Sequence, residues 1–154
     1  MKTDYRMALG AVALAALGMP ALAGDPEAGA SAFTSQCQNC HVVANDAGEV
    51  LAGRNARTGP KLYGVIGRQA GIVDGFRYGA SLVEAGTAGL VWDEETFVAY
   101  VQDPNSFLQE TLDNRRARGQ MAFRVRSEDD ARNLYAFLAT FSDLGDAEEE
   151  AAAE

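Results

Sequence analysis

The stretch Cys37-Gln38-Asn39-Cys40-His41 sets two thiols three residues apart, with an imidazole directly after the second. Thiols at this spacing can add to the two vinyl groups of one porphyrin. The adjacent histidine is then placed to ligate the iron, so C-x-x-C-H reads as a haem attachment sequence. A thioredoxin-like pair uses the same thiols but belongs in a βαβ context that the surrounding sequence lacks. Structural zinc would leave a fourth ligand unsupplied, and a disulfide between Cys37 and Cys40 would close too short a loop to add much stability. With 2 cysteines and 1 histidine in the whole chain, any soft-ligand chemistry has to use these three residues.

The same counting constrains the other face of an iron. His41 is the only histidine, which excludes a bis-histidine site within one molecule. The methionines are Met1, Met7, Met19 and Met121, and the first three fall in an N-terminal leader, so a methionine ligand has to be Met121. A lone methionine ordinarily fills a gap in a core. The setting Gln120-Met121-Ala122-Phe123, in a breaker-containing stretch ahead of the last helix, favours ligation instead.

Residues 1–23 carry Lys2 and Arg6, then an apolar run, then the small-residue site Ala21-Leu22-Ala23, the pattern of a cleaved secretory signal peptide. The apolar stretch from Met7 is 17 residues long, at the lower limit for spanning a bilayer, and no stable membrane anchor is expected. The expected organisation is therefore a leader over 1–23, one domain over 24–142 and an acidic tail over 143–154, exported to an oxidising compartment. The tail holds six acids and no base and reads as a solvated segment.

The full chain of 154 residues carries 13 basic and 22 acidic side chains, a formal charge of -9, which argues against nucleic acid as a partner. Removing Lys2, Arg6 and Asp4 with the leader leaves 11 basic and 21 acidic residues, a charge of -10. Against that background, residues 115–126 contain Arg115, Arg116, Arg118, Arg124 and Arg126 and no acid, a local charge of +5 around Met121.

Asp25 and Pro26 predict a helix that runs to the cysteine motif, with Phe33 and Cys37 on one face. Seven glycines between Asn45 and Gly75 read as loop without strand. Residues 80–85 predict a short helix stopped by Gly86. A firmer helix follows Asp93, with Phe97, Val98 and Val101 on one side and Pro104 at its end. Residues 105–120 give no clear signal. Ser127 with Asp130 resembles a capping box, ahead of Ala131, Leu134, Tyr135 and Leu138 at helical spacing, which predicts a helix to about Phe141. The fold class is all-α and loop-rich.

Several separate stretches then stand in a recognisable order: the cysteine motif, Gly59-Pro60-Lys61-Leu62-Tyr63-Gly64 with Gly67-Arg68, Phe76-Arg77-Tyr78-Gly79, Trp92, Tyr100, Met121-Ala122-Phe123 and residues 134–138. Together they resemble the class I c-type cytochromes, most closely the bacterial cytochrome c2 group, over residues 25–141. The resemblance implies that the N- and C-terminal helices cross around one covalently bound haem c, with Gly29 and Phe33 meeting Leu134, Phe137 and Leu138. It implies thioether attachment at Cys37 and Cys40, His41 as proximal ligand donating its other ring nitrogen to the carbonyl of Pro60, and Met121 as distal ligand. Tyr100 resembles the tyrosine beside the methionine sulfur. Arg68, Tyr78 and Trp92 resemble the donors to a buried haem propionate, and Trp92 and Tyr100 also read simply as core aromatics.

Two positions depart from the family. Gly119 stands where a threonine is often found two residues before the methionine, and Lys61 is the only lysine outside the leader. By resemblance the chain is no enzyme. It is expected to be a monomeric periplasmic electron carrier that docks transiently, taking electrons from the membrane ubiquinol-cytochrome c reductase and passing them to a terminal oxidase or a photosynthetic reaction centre.

Overall fold

A computed structural model describes residues 24–143. The leader expected over 1–23, and the acidic tail beyond Asp143, lie outside the described residues.

Helix α1 (Pro26–Gln36) begins where Asp25 accepts hydrogen bonds from the amides of Glu27 and Ala28, with Pro26 in the first turn, where its missing N–H is no loss. It ends at the cysteine motif as expected, the Cys37 amide donating to the Phe33 carbonyl at 2.9 Å. Two strands then follow, β1 (Val42–Ala44) and β2 (Val50–Gly53), paired antiparallel with Val42 opposite Gly53 and a bulge between Val43 and Ala44. This corrects the reading of residues 45–75 as loop throughout. Val42, Val43 and Ala44 are all buried, so β1 shows no alternation by which a sequence announces a strand. The hairpin turn is closed by Asn45, whose side-chain oxygen accepts from the Glu49 amide at 2.9 Å.

Helix α2 (Ala80–Thr87) runs past Gly86, which does not stop it as expected. Gly86 is buried with its Cα against the carbonyl of Ala70, a close approach that a side chain would block, and Gly89 at φ +106° turns the chain instead. Helix α3 (Glu94–Gln102) starts from a reciprocal capping box of Asp93 and Thr96. Residues 105–120, unresolved from sequence, begin with a further helix, α4 (Pro104–Thr111). Asp103 caps the end of α3 and, by accepting from the Ser106 amide, the start of α4, so Pro104 both ends one helix and opens the next. Helix α5 (Glu128–Ala139) is capped by Ser127 and continues as a tighter turn to Ser142.

Among the described residues the architecture is thus five helices with one small hairpin. α1 and α5 cross at Gly29, where an added Cβ would run into the Asn133 carbonyl and stand 2.6 Å from Cβ of Phe137. Phe33 and Phe137 stack there at 5.6 Å, the Asp25 amide donates to Asn133 at 2.8 Å, and Gln36 donates to Asp130 at 2.8 Å. Phe33, Leu134 and Leu138 are almost wholly buried at this crossing, each contributing roughly 1.5–3 kcal/mol by leaving water. Arg132 ties α5 to α3 through Glu94 at 2.8 Å and to Glu128 at 2.6 Å, an exposed cluster of modest worth.

Candidate functional site

The helices enclose a cavity of about 1040 Å³. That is at the upper end of the roughly 300–1000 Å³ typical of small-molecule and cofactor sites. Cys37, Cys40, His41, Pro60, Arg68, Tyr78, Trp92, Tyr100 and Met121 all line it, so every site residue singled out from the sequence reaches one space.

Cys37 caps α1, and the turn through Cys40 is held by the Cys40 and His41 amides donating to the Cys37 carbonyl at 3.0 and 2.9 Å. Neither cysteine is in a disulfide. Burial, with a smaller contribution from Cys40, pushes the Cys37 thiol up to about 12. A redox-exchange cysteine needs the opposite, a depressed value that exposes thiolate. Among the described residues no three His, Cys, Asp or Glu side chains converge as a metal cluster. The thioredoxin and zinc readings therefore lose their chemical basis, and among the described residues the strands form one antiparallel pair with no βαβ unit.

His41 leads into β1, and residues 59–62 lie along it: the Gly59 amide donates to the Cys40 carbonyl at 2.7 Å and the Leu62 amide to the Val42 carbonyl at 2.9 Å. This brings the Pro60 carbonyl 3.0 Å from Nδ1 of His41. A carbonyl only accepts, so Nδ1 carries the proton. Burial lowers the His41 pKa, which keeps the ring neutral and leaves the Nε2 lone pair free to bind a metal. Gly59 packs on the ring face, where a Cβ would stand 2.6 Å from Nδ1 and 2.8 Å from Nε2. Glycine is required at that position for contact alone.

Around the remaining wall, Trp92 and Tyr100 pack at 4.9 Å and Tyr100 meets Phe107 edge-on at 5.8 Å, so both are core aromatics as well as cavity lining. Burial, then the neighbouring Tyr78, pushes the Tyr100 phenol up to about 12, and it remains a neutral donor. Burial also raises Tyr78, opposed by its hydrogen bond with the Val73 backbone and by the Arg68 charge. Arg68 donates to the Tyr63 carbonyl at 2.8 Å and the Lys61 carbonyl at 3.4 Å, which fixes a cation at the cavity edge. Met121 is half-buried on the same lining. Leu82, Phe97, Val101, Leu134 and Leu138 complete an apolar wall. Leu82 was not singled out from the sequence, and the others read only as core, because helical spacing does not distinguish a residue that packs on protein from one that packs on a ligand.

This donor set fits a covalently held iron porphyrin. It offers two thiols for thioethers, a neutral oriented imidazole, a thioether sulfur, apolar walls for the ring, and one cation with two hydroxyl or indole donors for carboxylate substituents. Outside the cavity, Arg124 pairs with Asp103 at 3.0 Å. Arg118 donates to the Arg115 and Ala117 carbonyls. Arg115, Arg116, Arg118 and Arg126 are exposed and hold no acidic partner among the described residues.

No protein-family model matches the chain. Individual proteins do. Cytochrome c2 of Cereibacter sphaeroides is 55% identical over 139 residues, covering 90% of this chain and 95% of its own. Cytochrome c-551 of Roseobacter denitrificans is 51% identical over 119 residues, covering 77% of this chain and 82% of its own. Among solved structures, cytochrome c2 from Rhodobacter sphaeroides matches with a TM-score of 0.75 at 54% identity, covering 77% of this chain and 97% of that one. Identity at this level over most of the chain, on a fold that gathers the two thiols, the imidazole and the thioether at one cavity, places the chain in the cytochrome c2 family of class I c-type cytochromes, electron carriers rather than enzymes, with one covalently attached haem c.

Proposed function

We propose that this carrier works with His41 and Met121 as axial ligands, exported to the periplasm, moving single electrons from the membrane ubiquinol-cytochrome c reductase to a terminal oxidase or a photosynthetic reaction centre. One observation carries the ligand assignment: the only histidine of the chain, its Nδ1 engaged by Pro60, and the only methionine outside the leader line the same cavity. Bound there, a haem supplies reversible one-electron chemistry.

The chain supplies the rest. Cys37 and Cys40 fix the group covalently, and the Pro60 bond sets the tautomer and basicity of His41. Met121 is a weak donor that raises the potential, and the apolar wall of Leu82, Phe97 and Val101 acts in the same direction by excluding water. Arg68, Tyr78 and Trp92 would hold a propionate, and Tyr100 would stand beside the methionine sulfur. With His41 and Met121 both holding the iron, electrons would pass without any ligand being exchanged. The exposed Arg115, Arg116, Arg118 and Arg126 flank Met121 in sequence and steer an acidic partner to that end of the molecule.

The test is spectroscopic. A pyridine haemochrome spectrum reports two thioether bonds, and the far-red ferric band reports sulfur on iron. In Met121→Ala the covalent haem is kept, the far-red band is lost and the reduction potential falls. An unchanged band and potential in that variant would remove Met121 from the iron.

A further inference from the structure

The backbone that carries Met121 is held from outside in an uneven way. Among the described residues, no hydrogen bond engages the backbone amides of residues 120–124. The segment is suspended between two sets of anchors. Downstream, the Val125 amide donates to the Val101 carbonyl at 2.8 Å and the Arg126 amide to the Gln36 side chain at 3.2 Å. Upstream, the anchors come from side chains on α4 and α2. The Gly119 amide donates to Oδ1 of Asn105 at 2.9 Å, the Arg118 amide to the Ser81 hydroxyl at 3.1 Å, and Nε2 of Gln109 donates to the Ala117 carbonyl at 3.3 Å.

Asn105 and Gln109 are four residues apart on α4 and so share one helix face. From that face one carboxamide accepts and the other donates, engaging the amide of Gly119 and the carbonyl of Ala117 in a single extended segment. The approach is tight. A Cβ on Gly119 would stand 3.2 Å from Cβ of Pro104 and 3.6 Å from Cδ1 of the fully buried Leu108. A residue larger than glycine would therefore need Pro104 or the segment to give by a few tenths of an ångström. Gly119 is also the position where the family often carries threonine, so any hydroxyl of that threonine is absent here and the side-chain hold on this stretch has to come from elsewhere.

We propose that Asn105 is a positioning residue for Met121, a latch on α4 that, with Ser81 and Gln109, holds residues 117–119 down and so keeps the methionine segment closed over the cavity. The inference rests on the assignment of Met121 as an axial ligand. Asn105 is not part of the cavity lining, and its effect passes through the Gly119 amide.

The experiment uses ferric holoprotein in three forms: parent, Asn105→Ala, and Asn105→Asp, which keeps an oxygen acceptor at the same place. Exogenous imidazole can reach the iron only when the methionine segment opens, so its apparent affinity reads the opening equilibrium. Losing one such hydrogen bond should tighten imidazole binding roughly five-fold in Asn105→Ala, and Asn105→Asp should stay within about two-fold of the parent. Amide hydrogen exchange supplies a second reading, with exchange at Gly119 and Arg118 accelerating in the alanine variant while the α1 and α5 amides stay protected. Unchanged imidazole affinity, an aspartate variant as open as the alanine one, or acceleration spread equally over α1 and α5 would each overturn the latch. A parent lacking the far-red band overturns the ligand assignment itself, and the latch with it. A parent that has the band, with unchanged imidazole affinity in Asn105→Ala, overturns the latch alone.

Discussion

Gly29→Ala places one methyl group where α1 and α5 are closest. The new Cβ would collide with the Asn133 carbonyl and stand 2.6 Å from Cβ of Phe137, where carbon atoms normally rest about 3.5–4.0 Å apart. Relief requires the two helices to separate by about 1 Å, a gap that forfeits roughly a quarter to a half of the attraction at each affected contact. The separation reaches Phe33, Leu134 and Leu138, each only 1% exposed, so the loss falls on the best-packed part of the molecule. Overpacking of this kind costs about 1–3 kcal/mol, and an obstructing atom that belongs to backbone puts it at the upper end. Alanine offsets about 1 kcal/mol of that through its higher helix propensity. The net expectation is a destabilisation of about 2 kcal/mol. At about 4 °C per kcal/mol for a body of this size, the midpoint of thermal unfolding falls by about 8 °C. Far-UV circular dichroism and the haem Soret band, followed together on parent and variant holoprotein, measure it. A midpoint equal to or above that of the parent would show that propensity outweighs contact, and that Gly29 is not required by the crossing.

Three further outcomes are expected. Met121→Ala keeps covalent haem but lowers the reduction potential, checked by redox titration. Asp103 is held below the usual carboxylate range by the Ser106 amide and Arg124; its contribution to stability is therefore full above about pH 4 and is lost as pH falls below that value toward the lowered folded-state pKa. Asp103→Asn, which still caps α4, should flatten that acid limb in a series of melts against pH. Finally, Arg115→Glu combined with Arg116→Glu, at guanidinium groups without acidic partners among the described residues, should slow association with the reductase roughly ten-fold at low salt and leave the potential unmoved. Stopped-flow rates that ignore the reversals, or rise with salt in the parent, would place docking elsewhere.

The parts of the fold legible in the sequence are those whose cause is local. Asp25 with Pro26, Asp93 with Thr96, and Ser127 with Asp130 satisfy the first free amides of α1, α3 and α5 by side chains two or three residues away, so the signal sits in one short window. The cysteine motif is local in the same sense. What escaped detection depends on distant neighbours. Gly86 reads as a breaker until the carbonyl of Ala70 is seen against it, and Val42 to Ala44 look featureless because both faces of β1 are covered. Helix α4 was hidden because its cap, Asp103, also ends α3. The convergence of Arg68, Tyr78, Trp92 and Tyr100 was legible only through resemblance, since nothing in their spacing brings them together. Asn105 carried no signal at all, because its partner is a backbone amide 14 residues away.

The pairing of α1 with α5 also governs how the chain must assemble. The contact between Asp25 and Asn133 joins positions 108 residues apart. Closing a loop of that length costs about 4 kcal/mol of chain entropy before the helices gain anything from meeting. Assembly is accordingly slower than in a bundle whose neighbouring helices dock in sequence order. The same topology gives the finished molecule a clasp: a single backbone cut in the glycine-rich stretch between Gly53 and Gly75 leaves one piece holding α1 and the other holding α5, and the two remain joined through their ends.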